Sequence, residues 1–289
     1  MIGSGLYTAL ITPFKKGGEI DEEGFAANLS FQIEGGVDGL VLFGTTGESP
    51  TLSSEEKTTL LTLAREKITS IPLIIGCGTY STEETAKNLA WAKEHGADGA
   101  LLVSPYYNKP TQEGLYHHFS TLAKNSPLPI ILYNIQGRTG VNINVSTLVR
   151  LLEIPKIIGI KEASGNIDQM SDFLYEIGKR REEFLFLAGD DALTFPTMAL
   201  GGNGIVSVVS NLVPKKMKEL VDLCSSGDYL KARSVHEELL PLFRAAFLET
   251  NPIPIKAIMQ LAGIPSGPPR PPLSPLSPQY LEKIKQVSL

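Results

Sequence analysis

The sequence contains few of the residues that mark several large classes of protein. Only two of its 289 residues are cysteines, Cys77 and Cys224, and they lie far apart, so neither a disulfide framework nor a zinc site is predicted. No apolar run reaches the roughly 18 residues that cross a bilayer. The first residues lack the basic and apolar regions of a signal peptide. We therefore expect a cytoplasmic protein that has no membrane partner.

Neither sign of charge is concentrated in the chain. Lysine and arginine number 26, and aspartate and glutamate number 31, which gives a formal net charge of −5 at pH 7. Because no cluster of basic residues stands out, no nucleic-acid partner is expected. No Walker-A loop or GxGxxG motif follows a predicted strand, so a nucleotide cofactor has no support.

The sequence does contain a repeated alternation of short β-branched runs with longer segments of helical periodicity. Most of the runs are continuously apolar, which is typical of parallel strands that are buried on both faces. Eight such repeats predict an α/β fold, a (β/α)8 TIM barrel, with a doubly wound sheet as the competing topology. The predicted strands are 8–12, 39–43, 73–75, 100–103, 130–133, 157–161, 184–188 and 204–208.

The pattern changes after the eighth strand, where helical periodicity continues with no strand between the segments. A proline-rich stretch, 265–272, follows these segments, and we interpret it as a structural crossing rather than an SH3 ligand. We therefore predict a C-terminal helical extension. The predicted domains are a catalytic barrel over 1–223 and a C-terminal helical subdomain over 224–289.

Lys161 is the central candidate among the polar groups at the strand ends, which converge on one end of a barrel. It follows the apolar residues 157–160, so its stem emerges from a buried strand, where burial disfavours the charged ammonium form. A neutral amine attacks a ketone to form an imine and later an enamine. Taken alone, a strand-end lysine more often reaches solvent or pairs with a glutamate. The hydroxyl groups expected around Lys161 favour the imine chemistry.

Those hydroxyl groups come from Thr45, Tyr106, Tyr107 and Tyr133, which can relay protons to an imine. Each tyrosine taken singly is more often a packed aromatic. The alternative for the threonine is that it belongs to an ordinary strand-to-helix turn.

Two further features suit carboxylates. Thr46, in the same turn as Thr45, can direct a hydroxyl group at an anion, and Arg138 can bind a second carboxylate through paired hydrogen bonds. The alternative for Arg138 is a surface arginine. By contrast, His117 and His118 have no third ligand at metal spacing, so we expect both on a solvated helix face, and no metal site is predicted. Asp190 is expected to cap a helix.

Eight motifs in one order cover almost the whole chain: GTTGES at 44–49, PYYN at 105–108, QEGLY at 112–116, YN at 133–134, RTG at 138–140, GIKEA at 159–163, GDD at 189–191 and NPIP at 251–254. With these motifs the chain resembles the superfamily of class I aldolases that contains dihydrodipicolinate synthase and N-acetylneuraminate lyase. The arginine motif at 138–140 is similar to that of the synthase branch and is absent from the sugar-acid lyases.

The resemblance implies that Lys161 forms a Schiff base with pyruvate and that Tyr133, Thr45 and Tyr107 form a hydroxyl relay around it. It implies that no cofactor is needed. In this family the tyrosine at the position of Tyr107 reaches in from a neighbouring subunit, which implies a homo-oligomer, a dimer of dimers (homotetramer).

Binding roles are implied as well. Thr46 and the backbone near Val206 would bind the pyruvate carboxylate, and Arg138 would bind the carboxylate of L-aspartate 4-semialdehyde. The product would be 4-hydroxy-tetrahydrodipicolinate, in lysine and diaminopimelate biosynthesis. Alternatives are a lyase for a sugar acid or another 2-oxo acid, a non-catalytic barrel that binds a keto acid, and a pyridoxal phosphate enzyme with its aldimine on Lys161.

The chain departs from the family pattern at two places. Gln136 stands where the family usually has a proline before the arginine, so we expect the loop of Arg138 to be more mobile. The implied effector site for L-lysine would involve Tyr80, Glu84, Tyr106 and Lys57. A cationic Lys57 beside a cationic effector is unfavourable. We therefore predict weak or absent inhibition by lysine.

Overall fold

Eight parallel strands follow one another in chain order around a closed barrel. The computed structural model describes residues 2–285. The predicted (β/α)8 TIM barrel is confirmed, and the strands are β1 Gly5–Ala9, β2 Gly39–Leu42, β3 Leu73–Gly76, β4 Gly99–Val103, β5 Ile130–Asn134, β6 Ile157–Glu162, β7 Leu185–Ala188 and β8 Gly204–Ser207.

Helices separate the strands and then continue alone after β8, as the predicted C-terminal helical extension requires. Short 3-10 turns lie at Ser49–Thr51, Asp191–Leu193 and Val209–Asn211. The α-helices are α1 Glu22–Glu34, α2 Ser54–Lys67, α3 Thr82–Glu94, α4 Gln112–Asn125, α5 Gln136–Thr139, α6 Val145–Leu152, α7 Ile167–Arg180, α8 Thr194–Ala199, α9 Pro214–Ser225, α10 Tyr229–Ala245, α11 Ile253–Leu261 and α12 Pro278–Lys285.

The first strand lies earlier in the chain than predicted. β1 starts at Gly5 because the Asp38 carboxylate accepts a hydrogen bond from Leu6 N at 2.8 Å, which fixes the start of the β1–β2 ladder. Past Ala9 the backbone leaves the ladder, since Ile11 N donates to the Asn211 side chain at 3.0 Å. The predicted strand bounds of 8–12 were therefore wrong, although the strand itself exists.

Burial on both faces of the strands explains their apolar sequences. Every residue of β1, β2 and β5 is buried. A parallel sheet covered by helices has no solvated face, so its strands do not alternate between apolar and polar residues.

The chain forms two compact units. One contains Pro72–Val206 with the first residues of the chain, and the other contains Gly5–Ile71 with Ser207–Leu289. The division into a barrel over 1–223 and a helical subdomain over 224–289 stays a prediction. None of the helices within residues 2–285 is long and apolar enough to cross a membrane.

Candidate active site

Strands β5 and β6 place Tyr133 and Lys161 side by side. The two residues are partners in the strand register, so their side chains share one face of the sheet. Lys161 Nζ lies 4.2 Å from the centre of the Tyr133 ring, and each residue is 5% exposed. The phenol and the amine are thus neighbours in a site where little water surrounds them.

Two lysines are buried in the described part of the chain, and their surroundings differ. Lys256 Nζ donates to Glu48 Oε1 at 2.7 Å, to Thr12 O at 3.0 Å and to Pro268 O at 3.1 Å, so all three of its hydrogens are used. Lys161 has no carboxylate within ion-pair distance among residues 2–285. An amine that no ion pair holds is available as a nucleophile for a carbonyl group. Lys161 is the buried amine that is suited to attack a carbonyl group.

Asn134 and Glu162, which follow Tyr133 and Lys161 in their strands, form a buried polar network. Glu162 Oε2 accepts a hydrogen bond from Asn134 Nδ2 at 2.8 Å, and Glu162 Oε1 accepts one from Ser164 N at 2.6 Å. Burial raises the pKa of Glu162, although these hydrogen bonds oppose the shift. Asn134 also donates to Asn142 Oδ1 at 2.8 Å and accepts from Ile143 N at 2.9 Å. The network ties β5 and β6 to the segment that follows α5.

Gly189, after β7, leaves room for the lysine side chain. A Cβ atom at this position would lie 3.1 Å from Lys161 Cε and 2.7 Å from Ala163 Cβ. Contacts this short force a neighbour to move, and the Lys161 stem is one of the neighbours. The glycine of the GDD motif therefore helps to set the position of the amine.

Tyr106 and Tyr107 lie in the loop after β4 but have different environments. The Tyr106 ring packs edge-to-face on Tyr80 at 5.5 Å, and burial raises its pKa. Tyr107 is 93% exposed and has a positive φ of 72°. Among the described residues, non-glycine residues with positive φ occur only in the loops after β2 and β4, at Phe43, Glu48, Tyr107 and Lys109. Strained backbone of this kind is concentrated at functional sites.

Arg138 is exposed and lies on α5, a single turn that starts three residues after Tyr133 and is followed by Gly140, whose φ is 72°. The loop is closed by local hydrogen bonds, since Gly140 N donates to Gln136 O at 2.9 Å and Thr139 Oγ1 donates to Val141 O at 2.9 Å. The mobility expected from Gln136 stays a prediction.

The other compact unit contains Thr45 and Thr46, in the turn after β2. Asn251 Nδ2 donates to Thr46 Oγ1 at 2.9 Å, and Thr12 Oγ1 donates to Gly47 O at 2.8 Å. Thr46 is 2% exposed, whereas Thr45 is half-buried. Val206, in β8, is 1% exposed and belongs to the unit of Lys161.

The residues of the implied effector site are partly grouped. Tyr80 and Tyr106 are in contact, and Glu84, in the first turn of α3, is exposed and accepts a hydrogen bond from Lys87 Nζ at 2.9 Å. Lys57 lies on α2 in the other compact unit.

The predictions for Asp190 and for the adjacent histidines His117 and His118 had different outcomes. Asp190 Oδ1 accepts from Ala192 N at 2.9 Å, which confirms its capping role. His117 is exposed, but the expectation of a solvated His118 was wrong, because that ring is 6% exposed and lies against Thr82 Oγ1 at 2.9 Å. Burial lowers the pKa of His118 to about 4. No group of three or more potential metal-binding side chains lies together in residues 2–285.

Sequence reasoning did not identify the contacts of Asn251 and Lys256 with the turn after β2, or the polar network of Glu162. The sequence did contain a signal for the buried position of Lys256, since it is the only charged residue in the apolar helix α11. A charge inside an apolar helix is rarely buried unless it is paired.

Comparisons with known proteins show the family of the chain. The model of the dihydrodipicolinate synthetase family matches residues 3–288. The chain belongs to the dihydrodipicolinate synthetase family. A 4-hydroxy-tetrahydrodipicolinate synthase from Protochlamydia amoebophila is 50% identical over 284 residues, which are 98% of this chain and 95% of the relative.

Two solved structures of proteins named dihydrodipicolinate synthase have the same fold. The dihydrodipicolinate synthase of Thermotoga maritima is 43% identical with a TM-score of 0.97, over 99% of this chain and 98% of that one. The enzyme of Acinetobacter baumannii, solved in complex with pyruvate, is 39% identical with a TM-score of 0.95, over 99% of this chain and 98% of that one.

Proposed function

We propose that the protein condenses pyruvate with L-aspartate 4-semialdehyde to give 4-hydroxy-tetrahydrodipicolinate, in lysine and diaminopimelate biosynthesis. The observation that carries the proposal is the buried amine of Lys161, which has no carboxylate partner in residues 2–285 and lies 4.2 Å from the Tyr133 ring centre. Family membership supports the choice of substrates.

The reaction begins when the neutral amine of Lys161 attacks the C2 carbonyl carbon of pyruvate. The carbinolamine loses water to give an iminium ion, and loss of a proton from C3 gives the enamine. The enamine carbon then attacks the aldehyde carbon of the second substrate. Finally, the amino group of that substrate attacks the imine carbon, which closes the ring and releases Lys161.

Protein groups move protons and bind the carboxylates in this scheme. Tyr133, with Thr45 and Tyr107, transfers protons at the carbinolamine and the imine. Thr46 and the backbone near Val206 bind the pyruvate carboxylate. Arg138, on its own loop, binds the carboxylate of the aldehyde substrate through paired hydrogen bonds.

The proposal includes a homo-oligomer, a dimer of dimers. Its support is Tyr107, a tyrosine that is 93% exposed at a strained backbone position. In a neighbouring subunit's site, the ring would become buried and the phenol would join the relay. Light scattering of the purified protein should give the mass of four chains, and a monomer with full activity would contradict this part.

The proposed location is the cytoplasm, since both cysteines are buried free thiols.

Borohydride trapping tests the Schiff base. Treatment of the protein with pyruvate and borohydride should reduce an imine, and mass spectrometry should find the adduct on Lys161. Lys256 is the internal control, because it is equally buried but ion-paired with Glu48. Lys161→Ala should form no adduct. An adduct on other lysines alone, or none in the wild-type protein, would refute the mechanism.

The second substrate is tested by a panel of aldehydes and acids. L-aspartate 4-semialdehyde should be consumed with pyruvate, whereas sugar acids of the lyase branch should not be cleaved. Arg138→Ala should weaken the reaction with the semialdehyde and leave trapping by pyruvate intact. Cleavage of a sugar acid at a comparable rate would favour the lyase instead.

We also propose that L-lysine inhibits the protein weakly or not at all. Glu84, which would bind an effector ammonium group, is engaged by Lys87 at 2.9 Å, and Lys57 adds a positive charge to the implied site. The initial rate should be unchanged at millimolar L-lysine. Strong inhibition in that range would overturn this proposal, and L-arginine is a matched cationic control.

A further inference from the structure

The turn after β2 is held in place by residues near the other end of the chain. Asn251 Nδ2 donates to Thr46 Oγ1 at 2.9 Å, and Lys256 Nζ donates to Glu48 Oε1 at 2.7 Å. Asn251 and Lys256 lie just before and within α11, so one element supports both positions of the turn. Glu48 adopts a left-handed backbone conformation with φ 53° and ψ 37°, which these contacts maintain.

The hydrogen bond from Asn251 determines what the Thr46 hydroxyl group can do. A hydroxyl group has one hydrogen to donate and two lone pairs that accept. The Asn251 amide occupies a lone pair, and the hydrogen is donated to no acceptor among residues 2–285. Thr46 and Asn251 are 2% and 6% exposed, so little water competes for this hydroxyl group.

From this geometry we infer that Asn251 is a positioning residue for substrate binding. It fixes the Thr46 hydroxyl group as a donor, whose hydrogen is given to the carboxylate of the 2-oxo acid. A carboxylate only accepts hydrogen bonds, so a hydroxyl group whose hydrogen is not engaged by the described residues is complementary to it. This inference rests on the proposed function, in which Thr46 binds that carboxylate.

The ion pair between Lys256 and Glu48 helps to hold the Thr46 hydroxyl group in one orientation. The second Glu48 oxygen, Oε2, accepts from Arg270 N at 2.9 Å, so both carboxylate oxygens are satisfied. Thr12 Oγ1 also donates to Gly47 O, in the same turn, at 2.8 Å. With three consecutive residues fixed, the Thr46 hydroxyl group has little freedom to turn its hydrogen elsewhere. Preorganised donors avoid the cost of ordering when the anion binds.

Asn251→Asp is the most direct test, because it keeps the shape and removes the donor. The new carboxylate accepts the hydrogen of Thr46 and adds negative charge beside the substrate carboxylate. In borohydride trapping, the pyruvate concentration for half-maximal labelling should rise roughly 10- to 100-fold. The labelled fraction of Lys161 at saturation, and kcat, should change little, since ground-state and transition-state binding are weakened equally.

A matched control is Asn28→Asp, in the same compact unit. Asn28 is 2% exposed and donates to Pro265 O at 2.8 Å, so this substitution also removes a buried amide donor. Its half-saturating pyruvate concentration should equal that of the wild-type protein. A purely structural effect of losing a buried amide would move both variants alike.

Asn251→Ala and Thr46→Val complete the test, also in case the aspartate variant does not fold. Each should raise the half-saturating concentration, and the double variant should be no worse than Thr46→Val, because the amide acts only through the hydroxyl group. Wild-type half-saturation in both Asn251 variants, or fully additive effects in the double variant, would overturn the inference. A wild-type protein that forms no adduct on Lys161 would instead overturn the proposed function beneath it.

Discussion

A buried lysine can be a nucleophile or a fixed charge, and its neighbours decide which. Lys256 gives its three hydrogens to one carboxylate and two carbonyl oxygens, whereas Lys161 lies against a phenol ring. The sequence predicts Lys161 as the nucleophile from its strand and from the hydroxyl groups expected around it. It could not predict the fixed one, because Glu48 and Lys256 are separated by 208 positions.

Gly189 gives a prediction at this scale. In Gly189→Ala, the new Cβ lies 3.1 Å from Lys161 Cε and displaces the amine, so trapping at saturating pyruvate should slow roughly 10- to 100-fold. The rate of adduct formation is measured by mass spectrometry. Gly178→Ala, on α7 with no atom within 4 Å of the added carbon, is the control and should be unaffected. Equal rates in both variants would contradict the role given to Gly189.

His118 makes stability depend on pH. Its pKa is about 4 when folded and about 6.5 in the unfolded chain, so the unfolded state binds more protons between these values. The free energy of unfolding should therefore fall as pH is lowered through this window, by about 3 kcal/mol from this group. Urea unfolding at several pH values measures the slope.

The variant His118→Gln keeps a hydrogen-bonding side chain near Thr82 but does not titrate. Its free energy of unfolding should fall less between pH 6.5 and 4 than that of the wild-type protein. His117→Gln, at an exposed position of the same helix, is the control. The same slope in all three proteins would show that His118 does not sense pH.

At the scale of elements, periodicity and caps predicted most of the structure. Ser53 and Glu56 form a capping box at the start of α2, a pattern that is visible in the sequence because both partners are close together. β1 was displaced, since its start depends on Asp38 and its end on Asn211, which are distant in sequence. The short helix α5 has no apolar periodicity, so it was missed.

The link between β5 and β6 can be tested with Glu162→Gln. Asn134 Nδ2 and Ser164 N both donate to this side chain, and the amide of Asn134 is fixed by Ile143 N. Glutamine offers one acceptor instead of two, so one buried donor loses its partner. The free energy of unfolding at pH 7 should fall by about 1–3 kcal/mol.

Glu94→Gln is the control for that substitution, because Glu94 is an exposed residue of α3. Its midpoint of urea unfolding should stay at the wild-type value. A Glu162→Gln variant as stable as this control would mean that the network adds nothing to the connection between the two strands.

On the scale of the whole chain, the helices after β8 support the turn after β2. Lys256 and Arg270 both contact Glu48, which lies more than 200 residues earlier. The NPIP motif was recognised as a family feature, but its contact with Thr46 was not predicted. Hydrophobic patterns report which face of an element is buried and carry no information about which distant polar groups meet.

Lys256→Met tests this support. The substitution leaves the Glu48 carboxylate buried without its counter-charge, so the free energy of unfolding should fall by about 3–5 kcal/mol. Adding Glu48→Gln should restore much of the loss, because the remaining side chain is neutral. Lys87→Met, which removes exposed ion pairs with Glu83 and Glu84, should change stability little. No recovery in the double variant would argue against the charge as the cause.

The contrast between the two buried lysines also bears on reagents that mimic the substrate. Bromopyruvate carries a bromide that an amine can displace, and only an amine with a free lone pair can do so. We expect one label per chain, on Lys161, while Lys256 is protected by its three hydrogen bonds. The number of labels bound per chain would then give the fraction of the protein in a preparation that is active.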